Sequence, residues 1–575
     1  MPSHSSHFLP MSPADMTARG WDALDILIIS GDAYVDHPAF GPAVICRILE
    51  AEGWRVGIIA QPDWTDPYSL TPMGRPRLFC GISAGNLDSM LSNYTAARRK
   101  RKDDAYSPGG KPGLRPNLAT AVYAQLARRA FPGLPVVIGG TEASLRRVVH
   151  YDYWQDKLRP SILYDARADI LVYGMAERAV RDISQRLAYN LPLEGIPGTA
   201  RLLGAKESAE CDFNDCVILP SFEECRENKK CILTMTKLVE QEQNPFHGKP
   251  LVQFHGDRAL FVEPPALPLS TEELDSVYEL PFTRLPHPSY TEPIPAYTMI
   301  KDSITVVRGC GGGCSFCGLG MHQGRLLSSR SPESVEREVI SLSQSPDFKG
   351  TVSDLGGPTA NLYGCRNALD TACRSCRRPS CLFPSICSHL TIDPTPAINL
   401  MRRIRSLPKV KHVFIQSGIR MDIAVRNPRY IRELVRNHVS GHLKVAPEHL
   451  HPAVLRRMRK SGPDIFNQFR TAFNHESRAA HKEQYLVPYF ISNFPGSTPA
   501  EMKVVEQFLH KEHWQLQQIQ DFIPLPMTPA AAMYYCGLDY ETEKPISVTR
   551  GLARRRTQLR QLRPPKSRRP RSRHP

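Results

Sequence analysis

No stretch of this 575-residue sequence approaches the ~18 uninterrupted apolar residues that a bilayer-spanning helix needs. That lack argues against a helical membrane partner. Residues 1–20 mix His, Ser and Pro without an apolar h-region, so they do not read as a secretory signal. A cytoplasmic chain with reduced thiols is therefore expected. Its fifteen cysteines then read as ligands, nucleophiles or core residues, not as disulfide staples. Apolar residues are not scarce: 41% hydrophobic and 23% charged exclude wholesale disorder.

Acidic residues are missing from one end. From Arg550 onward there are eleven Lys or Arg and no Asp or Glu, so the net +16 falls to +5 for the preceding residues. Pro564, Pro565, Pro570 and Pro575 keep this segment from being one helix. Residues 541–575 are expected to be a disordered basic tail. A sharper reading makes the tail an arm that neutralises RNA phosphates.

The order of elements predicts an α/β chain. Residues 1–20 read as a flexible N-terminus. Over 21–197, apolar runs at 26–29, 56–60, 78–83, 136–138 and 169–173 alternate with helical stretches. That alternation predicts a doubly wound parallel sheet of the flavodoxin or cobalamin-domain kind. Ligands on such sheets sit beyond the strand C-terminal ends, here Gly31-Asp32, Gly139-Gly140-Thr141-Glu142 and Gly174. Residues 198–299 lose the pattern and become Pro-rich, and read as a connector. Its Cys211, Cys216, Cys225 and Cys231, spaced 5, 9 and 6, read as structural. From 300 to 540, strands at 303–307, 351–355, 410–415, 442–446, 485–491 and 516–523 predict a partial (β/α)6 barrel. Within it, Thr498-Pro499-Ala500-Glu501 is a capping box with Pro at the first helical position.

The decisive stretch is Arg308-Gly309-Cys310-Gly311-Gly312-Gly313-Cys314-Ser315-Phe316-Cys317, a C-x3-C-x2-C spacing with no fourth Cys close by. A [4Fe–4S] cluster has four irons, each needing an outer ligand. Three thiolates on one loop can hold three corners and leave one iron open. The glycines let the backbone wrap tightly, and Phe316 can shield the cluster from water. Zinc would need a fourth ligand from elsewhere, a purely electron-transferring cluster would want four cysteines, and incidental thiols on a Gly-rich loop are the bland alternative.

This triplet after the first strand of a (β/α)6 unit resembles the signature of radical S-adenosylmethionine (SAM) enzymes. The resemblance implies that SAM chelates the open iron. One electron from the cluster then cleaves the sulfonium C–S bond, and the resulting 5′-deoxyadenosyl radical abstracts hydrogen from an unidentified substrate. An electron donor of the flavodoxin or ferredoxin type is implied as a partner. Further runs, His322-Gln323-Gly324-Arg325, Asp354-Leu355-Gly356-Gly357-Pro358-Thr359-Ala360-Asn361 and Val445-Ala446-Pro447-Glu448-His449, resemble the YgiQ group of radical SAM proteins. With Gln520-Asp521-Phe522-Ile523-Pro524, the likeness spans about residues 25–537.

Other residues are placed by analogy. Gly356-Gly357 stands where related enzymes approach the amino end of SAM with a Gly-Gly-Glu turn. Here Pro358-Thr359 replaces the Glu, which leaves contact to backbone groups. Arg420 suits the carboxylate of SAM, and Glu448 its ribose hydroxyls or ammonium. A structural ion pair is the plain alternative for each charged residue. Gly496 leaves room for adenine. Cys365, Cys373, Cys376, Cys381 and Cys387, in a Cys-rich insertion at 361–390, suggest a second metal site, either an Fe–S cluster or zinc. Alternatively they are small core hydrophobes. The cobalamin signature D-x-H-x-x-G is absent, since Asp36-His37 are adjacent, so cobalamin rests on sheet geometry alone. Two other functions stay open: an RNA-modifying radical SAM enzyme of the methyl- or methylthio-transfer type, and a non-catalytic Fe–S protein that binds nucleic acid.

Overall fold

Short apolar runs form the strands of the first sheet. In the computed structural model, which describes residues 7–563 apart from 515, 517 and 518, these are Ile26–Ser30 (β1), Val56–Ala60 (β2), Phe79–Ser83 (β3), Val136–Gly139 (β4) and Ile170–Val172 (β5). They pair in parallel in the order β2-β1-β3-β4-β5. Strands covered by helices on both faces need apolar side chains on both, which is why these runs are continuous rather than alternating. The order reverses between β1 and β3, the place where doubly wound sheets open a crevice. Two glycines are required there. A Cβ on Gly31 would lie 2.3 Å from the Ala84 carbonyl oxygen, and one on Gly85, at φ +102°, would lie 2.1 Å from the Asp32 carboxylate.

The sheet continues into residues expected to be a connector. Thr199–Leu202 (β6), Val217–Leu219 (β7), Leu251–His255 (β8) and Arg258–Val262 (β9) extend it to nine strands, ordered β2-β1-β3-β4-β5-β6-β9-β8-β7. Here β5–β6, β6–β9 and β9–β8 are antiparallel. The connector reading of 198–299 is therefore corrected. These strands are only three to five residues long, and the following prolines mask their pattern. The four cysteines of this stretch range from buried (Cys225) to exposed (Cys211).

The described residues near both termini are also better packed than expected. Phe8 and Leu9 are buried, and Ser12 caps a helix at Pro13–Ala18, so residues 7–20 are not a flexible lead. Residues 1–6 lie outside the described residues. Leu552–Gln561 is a helix capped by Leu562, and Arg555, Gln558 and Leu562, spaced three and four apart, are buried. Arg555 pairs with Asp521 at 2.9 Å, and Gln558 donates to the Ser497 carbonyl at 2.7 Å. The tail reading is corrected up to residue 563; residues 564–575 lie outside the described residues.

The second unit has six successive strand positions: Ser303–Thr305 (β10), Thr351–Val352 (β11) running into Asp354–Gly356 (β12), His412–Val413 (β13), His442–Glu448 (β14), Tyr485–Ser492 (β15) and Gln520–Asp521 (β16). Parallel ladders join β10 to β12, β11 to β13, β14 to β15 and β15 to β16. The strand expected at 516–523 shows as β16, and its Gln517 and Gln518 lie outside the described residues. Helices cover the outside. Ser331 caps Pro332–Ser343, which turns Val335, Val339 and Leu342 inward, and Thr498 with Glu501 forms the expected capping box on Pro499–Lys511. Sequential parallel strands bring all their C-terminal ends to one mouth.

Candidate active site

Cys310, Cys314 and Cys317 lie on the loop that follows Val307–Arg308. Close approach shapes this loop. At Gly309, φ +83°, a Cβ would sit 2.0 Å from the Leu326 carbonyl oxygen, and at Gly313, φ +59°, 2.4 Å from that of Pro379. Of the three consecutive glycines only Gly313 has a positive φ. Gly312 is small for a different reason, because its Cβ would stand 3.0 Å from Arg420 Nη1 and 3.4 Å from Cys310 Sγ. Backbone hydrogen bonds pin the loop, from Cys310 N to Gly324 O (3.0 Å), Ser315 N to Met458 O (3.1 Å) and Cys381 N to Gly311 O (2.9 Å). Behind it, Phe316 meets Phe494 edge to face, with centroids 6.3 Å apart.

Arg420 and Glu448 converge on this loop. Arg420 donates through Nε (3.1 Å) and Nη2 to Asp422, and its Nη1 lies 3.6 Å from Cys314 Sγ. Asn361 fixes the Arg420 backbone from both sides, accepting from its N–H at 2.8 Å and donating to its carbonyl at 2.9 Å. Burial opposes the charge on Asp422, yet the Arg420 guanidinium outweighs it and holds the carboxyl below its ordinary range. Glu448 ends β14 at φ +66°. Its Oε2 is buried without a hydrogen-bond partner, while Oε1 lies 3.9 Å from Lys460 Nζ. Burial raises the Glu448 pKa, with Lys460 and Arg420 opposing. Burial, reinforced by Cys314, Cys310 and Glu448, pushes the Cys317 thiol up to about 12. Any metal bound there must first displace that proton.

Gly356 and Gly357 face elsewhere. A Cβ on Gly356 would lie 2.2 Å from Ser417 Oγ, and one on Gly357 2.4 Å from the Val307 carbonyl oxygen. Both line a cavity of about 520 Å³ between the mouth of the first sheet and the second unit, as do Ser83, Gly140 and Thr141. The three cysteines, Arg420 and Glu448 do not line it. The structure thus brings together five of the seven expected site residues and sets the glycine pair at a neighbouring cavity. Gly496, at φ +80°, packs on Arg457, 2.9 Å from where its Cβ would stand. His37 is buried, and its Nδ1 accepts the Ala39 N–H at 3.0 Å. Asp36 is consumed by Arg47 and by the Thr283 N–H.

Among the described residues no three His, Cys, Asp or Glu side chains close on the space of a single metal ion. Three thiols spread over one loop, beside a cationic Arg420 and a carboxylate with a free oxygen, fit a larger group, as a cubane with an exchangeable corner is. Residues 8–303 match the family described as Radical SAM N-terminal, and 304–509 match the Radical SAM superfamily. A UPF0313 protein of Rhodopseudomonas palustris is 45% identical over 96% of this chain and 86% of its own length. The UPF0313 protein YgiQ of Escherichia coli is 43% identical over 92% and 79%.

The chain belongs to the UPF0313 family of radical SAM proteins.

It is accordingly a radical SAM enzyme whose cofactors are a [4Fe–4S] cluster and SAM, and such enzymes require an electron donor. A solved structure, the radical SAM methyltransferase TsrM of Kitasatospora setae with cobalamin and a [4Fe–4S] cluster bound, is similar at TM-score 0.50. It is 14% identical over 88% of this chain and 74% of that one, a likeness of fold. No helix among the described residues is long and apolar enough to cross a membrane.

Three residues of this UPF0313 site were given no role from the sequence. Asp422 follows Arg420 by two positions, Asn361 closes the Asp354–Asn361 run already noted, and Lys460 sits just past the helix Pro452–Met458. Asn361 had a signal, since it ends a quoted motif. Lys460 had none, because only the fold brings it to Glu448.

Proposed function

We propose that Cys310, Cys314 and Cys317 ligate three irons of the cluster and that Arg420 and Glu448 receive SAM at the fourth. When bound, this cofactor pair supplies one-electron cleavage of the SAM C–S bond and so a means of taking hydrogen from an unactivated carbon of the substrate. The chain's part is binding and orientation. Asp422 holds the Arg420 guanidinium against the cysteine loop, in reach of a carboxylate, and Asn361 fixes the backbone that carries it. Glu448 offers Oε2 to the ribose hydroxyls or the ammonium. Gly356 and Gly357 offer only backbone groups, from the cavity side. Phe316 and Phe494 wall the loop off from water.

One observation supports this reading above the others: Glu448 Oε2 is buried, unpartnered and carried on a strained backbone. An unsatisfied buried acceptor costs about 1–3 kcal/mol, and such strain persists where a ligand uses it. The test is anaerobic reconstitution with iron and sulfide, then SAM and dithionite. 5′-Deoxyadenosine should accumulate, and Glu448→Gln should raise the SAM concentration needed for it at least tenfold. An unshifted SAM dependence in a variant that retains its iron would remove Glu448 from the site.

The free thiols and the reductive chemistry favour a reducing compartment, the cytoplasm, and a flavodoxin- or ferredoxin-type donor. RNA as the substrate draws support from Arg554, Arg556, Arg560 and Arg563, which remain exposed on and just after the last helix. A second cofactor reading puts cobalamin in the cavity of about 520 Å³. The cavity lies at the crevice of the first sheet, and TsrM holds cobalamin. His37 does not line this cavity, so it is not placed to serve as a ligand there. Anaerobic titration with hydroxocobalamin tests this reading, and Thr141→Trp should abolish any absorbance change.

A further inference from the structure

The Cys-rich insertion divides in two. Cys365 is 4% exposed and packs in the core of the second unit, its Sγ 3.6 Å from the Asn361 carbonyl oxygen. It is therefore a core residue, and the expected set of five thiols is corrected to four. Cys373, Cys376, Cys381 and Cys387 are all half-buried and line one cavity of about 330 Å³, together with Arg325 and Asn367.

The loop carrying them has little regular structure, a four-residue helix at Thr371–Arg374 and two-residue strands at either side, yet it is tightly held. Asn244, from the first unit, donates to the carbonyls of Arg374 (2.7 Å) and Cys376 (3.0 Å). Arg325 donates to the Cys376 carbonyl as well. Ser380 Oγ donates to the Gly312 carbonyl at 2.8 Å and accepts from the backbone N–H groups of Leu382 (3.0 Å) and Phe383 (2.9 Å). Two N–H donors point at sulfur itself, Arg378 N at Cys376 Sγ (3.4 Å) and Asn367 Nδ2 at Cys381 Sγ (3.6 Å). Hydrogen bonds of this kind stabilise thiolates and tune iron–sulfur clusters. The Arg325 cation facing the same cavity favours an anionic occupant.

We propose that Cys373, Cys376, Cys381 and Cys387 hold a second iron–sulfur cluster, a four-thiolate cubane beside the first cluster loop. Four thiolates close all four corners, so this cluster has no open iron for SAM, unlike the one assigned to the triplet. Zinc fits less well. Four sulfurs at about 2.3 Å from one ion would have to converge, and among the described residues no such convergence exists. On assembly each thiol gives up its proton and binds one iron, with no change in oxidation state of the protein.

The experiment compares three full-length chains reconstituted anaerobically with iron and sulfide: the parent, Cys310→Ala/Cys314→Ala/Cys317→Ala, and Cys373→Ala/Cys376→Ala/Cys381→Ala/Cys387→Ala. Iron, acid-labile sulfide and zinc are measured per chain, and circular dichroism establishes folding. The parent should hold about eight irons and each variant about four, since each cubane carries four. The triplet variant should keep a reducible cluster whose electron-paramagnetic-resonance signal ignores added SAM. Two results would overturn the proposal: a folded triplet variant without iron or with one zinc in its place, or a folded four-cysteine variant that holds as much iron as the parent. Should the four-cysteine variant not fold, the triplet variant alone still decides. Loss of SAM response with iron retained in that variant bears on the first cluster, so the two readings fail separately.

Discussion

Cutting Asp422 back to alanine should strand a charge. Arg420 and Asp422 have side chains only 8% and 9% exposed, and two of the three guanidinium nitrogens are committed to this carboxylate. Breaking one partner of a buried pair costs about 3–5 kcal/mol, because the survivor keeps its desolvation without its counter-charge. For a unit of this size that corresponds to a melting point lowered by roughly 6–20 °C. Replacing both residues by apolar ones, Arg420→Met with Asp422→Leu, removes the stranded charge and should return most of that loss. Stability and SAM binding then separate. Thermal unfolding of the unloaded chains should show Asp422→Ala far below the parent and the double variant close to it. Isothermal titration of reconstituted protein with SAM should show binding lost in the double variant, because the guanidinium is gone. A loss below about 1 kcal/mol in Asp422→Ala would mean that the pair is not desolvated as its packing implies. A double variant that binds SAM like the parent would show Arg420 to be structural only.

Gly313→Ala should cost iron before it costs fold: the φ of +59° adds about 1–3 kcal/mol of strain, and the new methyl must push the Pro379 carbonyl away. Iron per reconstituted chain should drop severalfold while far-ultraviolet circular dichroism is kept. Glu177, buried and paired with Arg308, has a lowered pKa, since Arg308 more than offsets the burial that would raise it. Its contribution is therefore present above the ordinary Glu value of ~4.3 and is lost as pH falls through the lower folded value. The melting-point gap between the parent and Glu177→Gln should be constant near neutrality and shrink below about pH 4. Ending the chain at Arg550 removes the buried Arg555, Gln558 and Leu562. The leucine alone contributes about 1.5–3 kcal/mol, so urea unfolding of the shortened chain should shift to clearly lower midpoints.

What was legible beforehand was local chemistry. The three-thiol spacing, the glycine turns at strand ends and the Thr498 capping box each declare themselves within a few residues, because their geometry is fixed by near neighbours. The antiparallel extension of the first sheet was not legible. Strands such as Val217–Leu219 are too short for a period, and what makes them strands is pairing with Leu251–His255 far along the chain. The basic end misled for a related reason. Its charge dominates the composition, while three buried side chains at helical spacing decide the structure. Arg420 and Glu448 were singled out by their position after strands. Gly356 and Gly357 came from the same rule, which names the end of a sheet without saying which of two adjoining hollows a residue borders. The five cysteines of the insertion looked alike in sequence, and only packing separates Cys365 from the rest.

The seam between the two units is stitched close to the iron loop. Arg308, at its entrance, pairs with Glu177 and with Tyr278 Oη at 3.1 Å. Arg459, one residue past the helix that anchors Ser315, pairs with Glu240 at 2.6 Å. Hinging the halves apart would tear buried ion pairs from both sides of the cluster loop at once. Substrate traffic that leaves these pairs intact therefore cannot rely on a clamshell. An enzyme built this way keeps its radical chemistry behind fixed walls.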